Sequence, residues 1–172
     1  SEGTWSALEC GCNVTAIGGT ESQWLAGGED GWVGIMAAGS NSISPRSFNW
    51  PDTPPDIVSL DGDITNGWLI VEDGPTRAVH TWSGLNVSDG ATYSISTIVM
   101  DEVEVVSGGA LIIGHDMAGS NPAQGQDSSE VLIDAAGGSG SSPQLVLLHR
   151  GAGSPFHTII PMDDSSFIAI VG

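Results

Sequence analysis

The sequence predicts an all-β protein: an antiparallel β-sandwich, wound as a jelly roll, with an irregular N-terminal arm. Three observations predict it. From about Leu60 onward, short runs of alternating apolar and polar residues follow one another. Clusters of Gly, Ser, Asn, Asp and Pro separate these runs. No stretch shows the apolar periodicity of a helix. The 172 residues give about eight or nine such short strands, a number that a jelly roll winds economically.

Residues 1–56 are assigned to a Gly- and Trp-rich arm or edge-capping segment, and residues 57–172 to the sandwich. In the arm, Trp24, Trp32 and Trp50 are spread among glycines, and prolines cluster from Pro51 to Pro55. Short strands fit at "CNVTAI" and "GWVGIMAA". Aromatic and methionine side chains in an extended segment anchor subunit contacts, so Trp5, Trp24, Trp32, Met36 and Trp50 are expected to bury themselves in a neighbour.

In the sandwich, "GWLIVEDG" is an apolar run stopped by Asp73-Gly74-Pro75. "RAVHTWSGL" places Ala78, His80 and Trp82 on one side and Val79 and Thr81 on the other. After the turn at Ser88-Asp89-Gly90, "TYSISTIVM" alternates and then changes phase near Thr97, which predicts a bulge or entry into a more buried sheet. "DEVEVV" turns Val103 and Val105 inward and Glu102 and Glu104 outward. "ALIIGHD", "SSEVLIDA", "PQLVLLHR", "FHTIIPM" and "SSFIAIVG" complete the series.

The charge balance narrows the classes of partner. There are 21 acids against three arginines (Arg46, Arg77, Arg150) and no lysine, a net charge of -18. Nucleic acid and anionic membrane surfaces need clustered cations and are disfavoured as partners; neither nucleic-acid binding nor membrane insertion is expected. Mutual repulsion of unpaired acids is weakest in high salt, which fits a saline setting; a GC-rich genome depleted in lysine codons fits equally. The apolar fraction of 40% excludes a disordered acidic tail. No apolar run reaches the length of a membrane span. The chain opens at Ser1-Glu2-Gly3 without a signal-like segment, as expected of a trimmed methionine or a removed leader. Cys10 and Cys12 are expected as reduced thiols or in bonds to other chains, because so short a disulfide loop is strained.

Candidate chemistry is sparse. In "DGDITNGWLIVE", Asp61, Asp63 and Glu72 stand at positions one, three and twelve of a calcium-loop pattern, although its glycine comes one place late, at Gly67. The same residues also read as a polar turn entering a strand. Calcium is the one cofactor the sequence suggests. The four histidines meet no G-x-S-x-G or H-x-x-x-H pattern, and the strand-end loops are mainly Gly, Ser and Pro, so no catalytic group is assigned. Trp68 and Trp82 read either as glycan-stacking platforms or as ordinary core.

The stretch "VHTWSGLNVSDGATYSISTIVMDEVEV", with Tyr93 following the tight turn Ser88 to Gly90, resembles jelly-roll domains related to carbohydrate-binding modules. It is similar also to accessory structural proteins of tailed viruses. The resemblance covers roughly residues 66–116 and implies a fold, with no catalytic residue. The expected function is accordingly non-enzymatic: a structural subunit that packs against copies of itself and a capsid or filament neighbour. A virion surface or head-decoration protein, or an extracellular filament subunit, from a saline environment fits that role. The alternative is a secreted carbohydrate-binding module, calcium-stabilised.

Overall fold

The computed structural model describes residues 10–74, 76–107, 109–118, 129–137, 142–151, 156–163 and 166–171. The protein is all-β and antiparallel, in sheets packed face to face as the sandwich expectation requires. The first sheet holds β1 (Val14–Thr20), β2 (Gln23–Gly28), β3 (Val33–Ala37) and β4 (Ser44–Arg46). The second holds β5 (Ile57–Gly62), β6 (Asn66–Asp73), β7 (Thr76–Ser83) and β8 (Asn86–Val87), with β9 (Ala91–Thr92) also on β7. The third holds β10 (Ile98–Val106), β11 (Gly109–Asp116), β12 (Ser129–Ala136) and β13 (Gln144–Gly151). A hairpin of β14 (Phe156–Asp163) and β15 (Ser166–Val171) follows.

Strand order within each four-strand path is the order in the chain. A jelly roll passes its chain back and forth between two sheets. Here each sheet is finished as a meander before the next begins, so that winding is not adopted. The first strands of successive sheets stand side by side: β1 against β5, β5 against β10, β10 against β14. They begin at Val14, Ile57 and Ile98, a spacing of roughly forty residues that matches one blade of a propeller repeat.

Alternation assigns each side chain to one of two interfaces. From β6 and β7, Leu69, Val71, Ala78 and Trp82 join Leu25, Val33, Ile57 and Leu60 between the first and second sheets. The intervening Trp68, Ile70 and Val79 join Met100, Val103, Ala110, Ile112, Val131 and Ile133 between the second and third. The reverse face of the third sheet gathers Leu111, Ile113 and Leu132, and β14 packs on β10 and β11. Ile70, Val79, Ile112, Val131 and Ile133 are fully buried, each contributing roughly 1.5–3 kcal/mol. The unbroken apolar run of β6 thus reflects burial on both faces.

The first sheet is formed by residues within the segment assigned as an arm or edge-capping piece. Their glycines permit close sheet packing: a Cβ on Gly18 would lie 1.9 Å from the Leu60 carbonyl oxygen, and one on Gly27 2.6 Å from Ile57 Cγ2. The strand expected at Tyr93–Ser96 is a turn; the phase change near Thr97 marks the start of β10. Cys10 and Cys12 are bridged to each other, with Cα atoms 5.2 Å apart, rather than reduced or bonded to other chains. Among the described residues no helix is long and apolar enough to cross a membrane.

Candidate functional site

The row of first strands carries a dense set of polar side chains. Backbone amides of one strand donate to side chains of the strand before it. Val103 N–H donates to Ser59 Oγ (3.1 Å) and Val105 N–H to Asp61 Oδ2 (2.8 Å). Gly19 N–H donates to the other oxygen, Asp61 Oδ1 (3.1 Å), so one carboxylate ties β1, β5 and β10 together. The Thr15 hydroxyl reaches the Ile57 carbonyl at 2.5 Å.

Along this row lies an open pocket of about 550 Å³. Asp61, Asp101, Glu102, Glu104 and Glu130 line it, with His115 and the apolar Ala16, Val58 and Ile113. Alternation explains the grouping. In β10 the odd residues Val103 and Val105 enter the interface with the second sheet, which turns Glu102 and Glu104 to the opposite face, shared with Ile113. His115 and Glu130 are cross-strand partners on β11 and β12.

Charge is unevenly compensated. Arg77 pairs with Glu72 (3.3 Å) and Asp101 (2.5 Å) and donates to the Met100 carbonyl (2.9 Å). His115 Nδ1 meets the second oxygen of Asp101 at 2.5 Å. Among the described residues no cation is paired with Glu104. Desolvation, then the charges of Asp61 and Glu102 and a hydrogen bond with Asp61, push its carboxyl up to about 7. Below that pH it keeps its proton where a lone glutamate would ionise. Glu130 is 9% exposed.

The calcium expectation gives way here. Asp61 is committed to two backbone amides across the strand row. Asp63 builds a turn instead: it accepts from Thr65 N–H (2.6 Å), Thr65 Oγ1 (2.5 Å) and Asn66 N–H (2.9 Å). The Thr65 hydroxyl is the chief cause holding the Asp63 carboxyl below its ordinary value; desolvation opposes it, and the two amides reinforce it. Glu72 lies near the far end of β6 in its ion pair with Arg77. Residues 66–73 are strand, so no twelve-residue coordination loop exists. Among the described residues no three His, Cys, Asp or Glu side chains are grouped to hold a metal ion.

Trp68 and Trp82, the candidate stacking platforms, are 6% and 0% exposed. Trp68 is core between the second and third sheets. Trp82 stacks on Phe48 at 5.7 Å and donates its indole N–H to the Asp63 carbonyl at 3.0 Å. Neither presents a face to a sugar. Of the subunit-contact candidates, Trp5 lies outside the described residues. Trp50 packs edge-on against His80 at 5.7 Å beside the core of the first two sheets, an internal contact. Trp24 and Met36 are cross-strand partners on the outward face of the first sheet, together with Ile17. Ile17 is 70% and Trp24 49% exposed. The Trp32 ring covers Gly34 on this same face.

Sequence reasoning missed Glu104, Glu130, Asp101 and His115 as a group. The readable signal was the pair Glu102 and Glu104 in an otherwise apolar strand of a chain almost without cations; their partners come from strands far along the chain.

No family model matches the chain, and no curated protein matches it in sequence. A solved structure described as "YCF48 bound to D1 peptide", a β-propeller-like protein, superposes on 91% of the chain with a TM-score of 0.59 and 12% identity. The chain spans 47% of that protein's length. The chain is similar to it in fold.

Proposed function

We propose that this protein is a non-enzymatic structural subunit that associates with copies of itself through the outward face of its first sheet. The observation that carries this reading is that face: Ile17, Trp24 and Met36 form an apolar surface, with Ile17 and Trp24 largely exposed. The faces between the first and second sheets and between the second and third are each covered by a neighbouring meander. The occupant that fits is therefore another such sheet, supplied by a second copy. A contact between the first sheet of one copy and the last of the next is head-to-tail; it closes into a ring or runs on as a filament. Such an array, acidic toward solvent, suits the saline virion surface or extracellular filament expected from composition.

Light scattering from low to molar salt tests the reading, comparing the wild type with Trp24→Glu. Wild type is expected as dimers or larger species that persist in molar salt, because an apolar contact is not screened. Trp24→Glu, folded by circular dichroism, is expected at the monomer mass. A wild type that is monomeric at every salt and at high concentration overturns the proposal.

A further inference from the structure

With 21 acids against three arginines, every cation of this chain has carboxylates to spare. Arg77 takes Glu72 and Asp101, and Arg150 takes the buried Asp116. Arg46 is paired with no carboxylate among the described residues. Its Nη2 reaches only the Gly84 carbonyl, at a long 3.5 Å. Its Nε is buried without an acceptor. Glu29 and Asp30 line a cavity that Arg46 also borders, yet Glu29 accepts instead from Asn13 Nδ2 (2.6 Å). A buried charged donor without an acceptor is costly, and it calls for a partner that the chain itself does not supply.

Alternation along β4 decides which way Arg46 projects. Ser44 and Arg46 are the cross-strand partners of Ile35 and Val33 on β3, whose side chains pack into the seam between the first and second sheets. Both therefore project to the inward side, opposite the face of Ile17, Trp24 and Met36. At the margin of the seam they line a groove of about 340 Å³ with Ser40, Ser42, Ile35 and Ile64. No Asp or Glu lines this groove among the described residues. Ser40 is used within its own loop, where its hydroxyl oxygen accepts from Ser42 N–H (3.1 Å). The Ser44 hydroxyl is exposed and unengaged among the described residues.

We propose that this groove binds a tetrahedral oxyanion, sulfate or phosphate, with two oxygens on the Arg46 guanidinium and a third on the Ser44 hydroxyl. The planar fork of a guanidinium matches a pair of oxygens on one anion. A tetrahedral group keeps further oxygens out of that plane to meet a hydroxyl, and a carboxylate does not. Held by one long contact, the guanidinium turns into the groove at little cost, which relieves the burial of Nε. A water takes about 30 Å³, so the groove has room for such an ion and for part of a molecule that carries it. The same chemistry comes as the free ion or as an ester. Salt confines the repulsion of distant acids: the Debye length is about 8 Å at physiological ionic strength.

Isothermal titration with sodium sulfate, sodium phosphate and glucose 6-phosphate tests this, with acetate as the comparator and ionic strength held constant by sodium chloride. Saturable binding of a sulfate or phosphate probe, tighter than acetate, is expected. Binding of glucose 6-phosphate marks a site open to esters, and binding of the inorganic ions alone marks a site for the free ion. Arg46→Gln should weaken binding by about tenfold or more, and Ser44→Ala by about threefold. Arg46→Lys, which keeps the charge without the fork, should fall between Arg46→Gln and the wild type. Trp24→Glu alters the opposite face and should bind as the wild type does, so a failure of the assembly reading is told apart from a failure here. The proposal is overturned if no sulfate or phosphate probe binds saturably, if acetate matches them, or if Arg46→Gln, folded by circular dichroism, binds as the wild type does.

Discussion

Replacing Glu104 with glutamine should make the protein more stable at pH 8 and leave it unchanged at pH 4.5. Glutamine keeps the shape of the protonated acid and its ability to donate to Asp61, without a charge to lose. In the folded protein the Glu104 carboxyl stands at about 7, against an ordinary value of 4.5. Below about 4.5 the group is protonated in both folded and unfolded chains, and its contribution to stability is complete. As pH rises, the unfolded chain releases this proton first, so stability erodes between about 4.5 and 7 and levels off above. The interval corresponds to about 3 kcal/mol at ~1.4 kcal/mol per tenfold. Because the side chain is only half-buried, solvent screening reduces that to about 1–2 kcal/mol. For a chain of this length the result is about 3–6 °C in melting temperature. Melting curves for the two proteins from pH 4.5 to 8 measure it, since contributions from all other groups are common to both. Curves that run parallel across the range, or a variant that falls below wild type at pH 8, refute the reasoning.

Two further substitutions test how the sheets are joined. Asp61→Ala strands the Gly19 and Val105 amides without their acceptor and should cost about 2–4 kcal/mol in urea unfolding; a loss under about 1 kcal/mol would mean that the carboxylate does not hold the three first strands. Gly18→Ala places a Cβ 1.9 Å from the Leu60 carbonyl, where neither backbone can yield. The loss, about 1–3 kcal/mol, should appear as a lower melting temperature, and an unchanged one would show that β1 and β5 do not approach so closely.

Much of the fold is legible in the sequence. The two-residue alternation of "RAVHTWSGL" and "DEVEVV" places Ala78, Trp82, Val103 and Val105 on the faces where they are found, and the runs from "ALIIGHD" onward are strands. The winding is harder to read, because alternation tells which face a residue takes and not which strand lies beside it. The recurrence of roughly forty residues between first strands leaves no matching residues, since each sheet fills its interfaces with different side chains. Glycine obscures the packing of residues 1–56: Gly18 and Gly27 look like irregularity, yet their missing side chains let the first sheet lie against β5. The acids of "DGDITNGWLIVE" have the spacing of a calcium loop because a hairpin needs a turn-forming Asp63, and because Asp61 and Glu72 answer partners 44 and 5 residues away in Val105 and Arg77. The pocket acids are legible singly and not as a group, for only the stacking of the sheets brings Glu104 beside Asp61.

The second sheet has apolar neighbours on both sides and no broad solvent face of its own. Before it can open, either the interface around Leu69 and Trp82 or the interface around Ile70 and Val79 must separate. Fluctuations therefore have a direction: the first sheet and the C-terminal hairpin can peel while the middle holds, and the reverse order is closed. The protein behaves as a laminate, in which each layer is kept by its neighbours and the lifetime of the whole is set by the slowest seam between them.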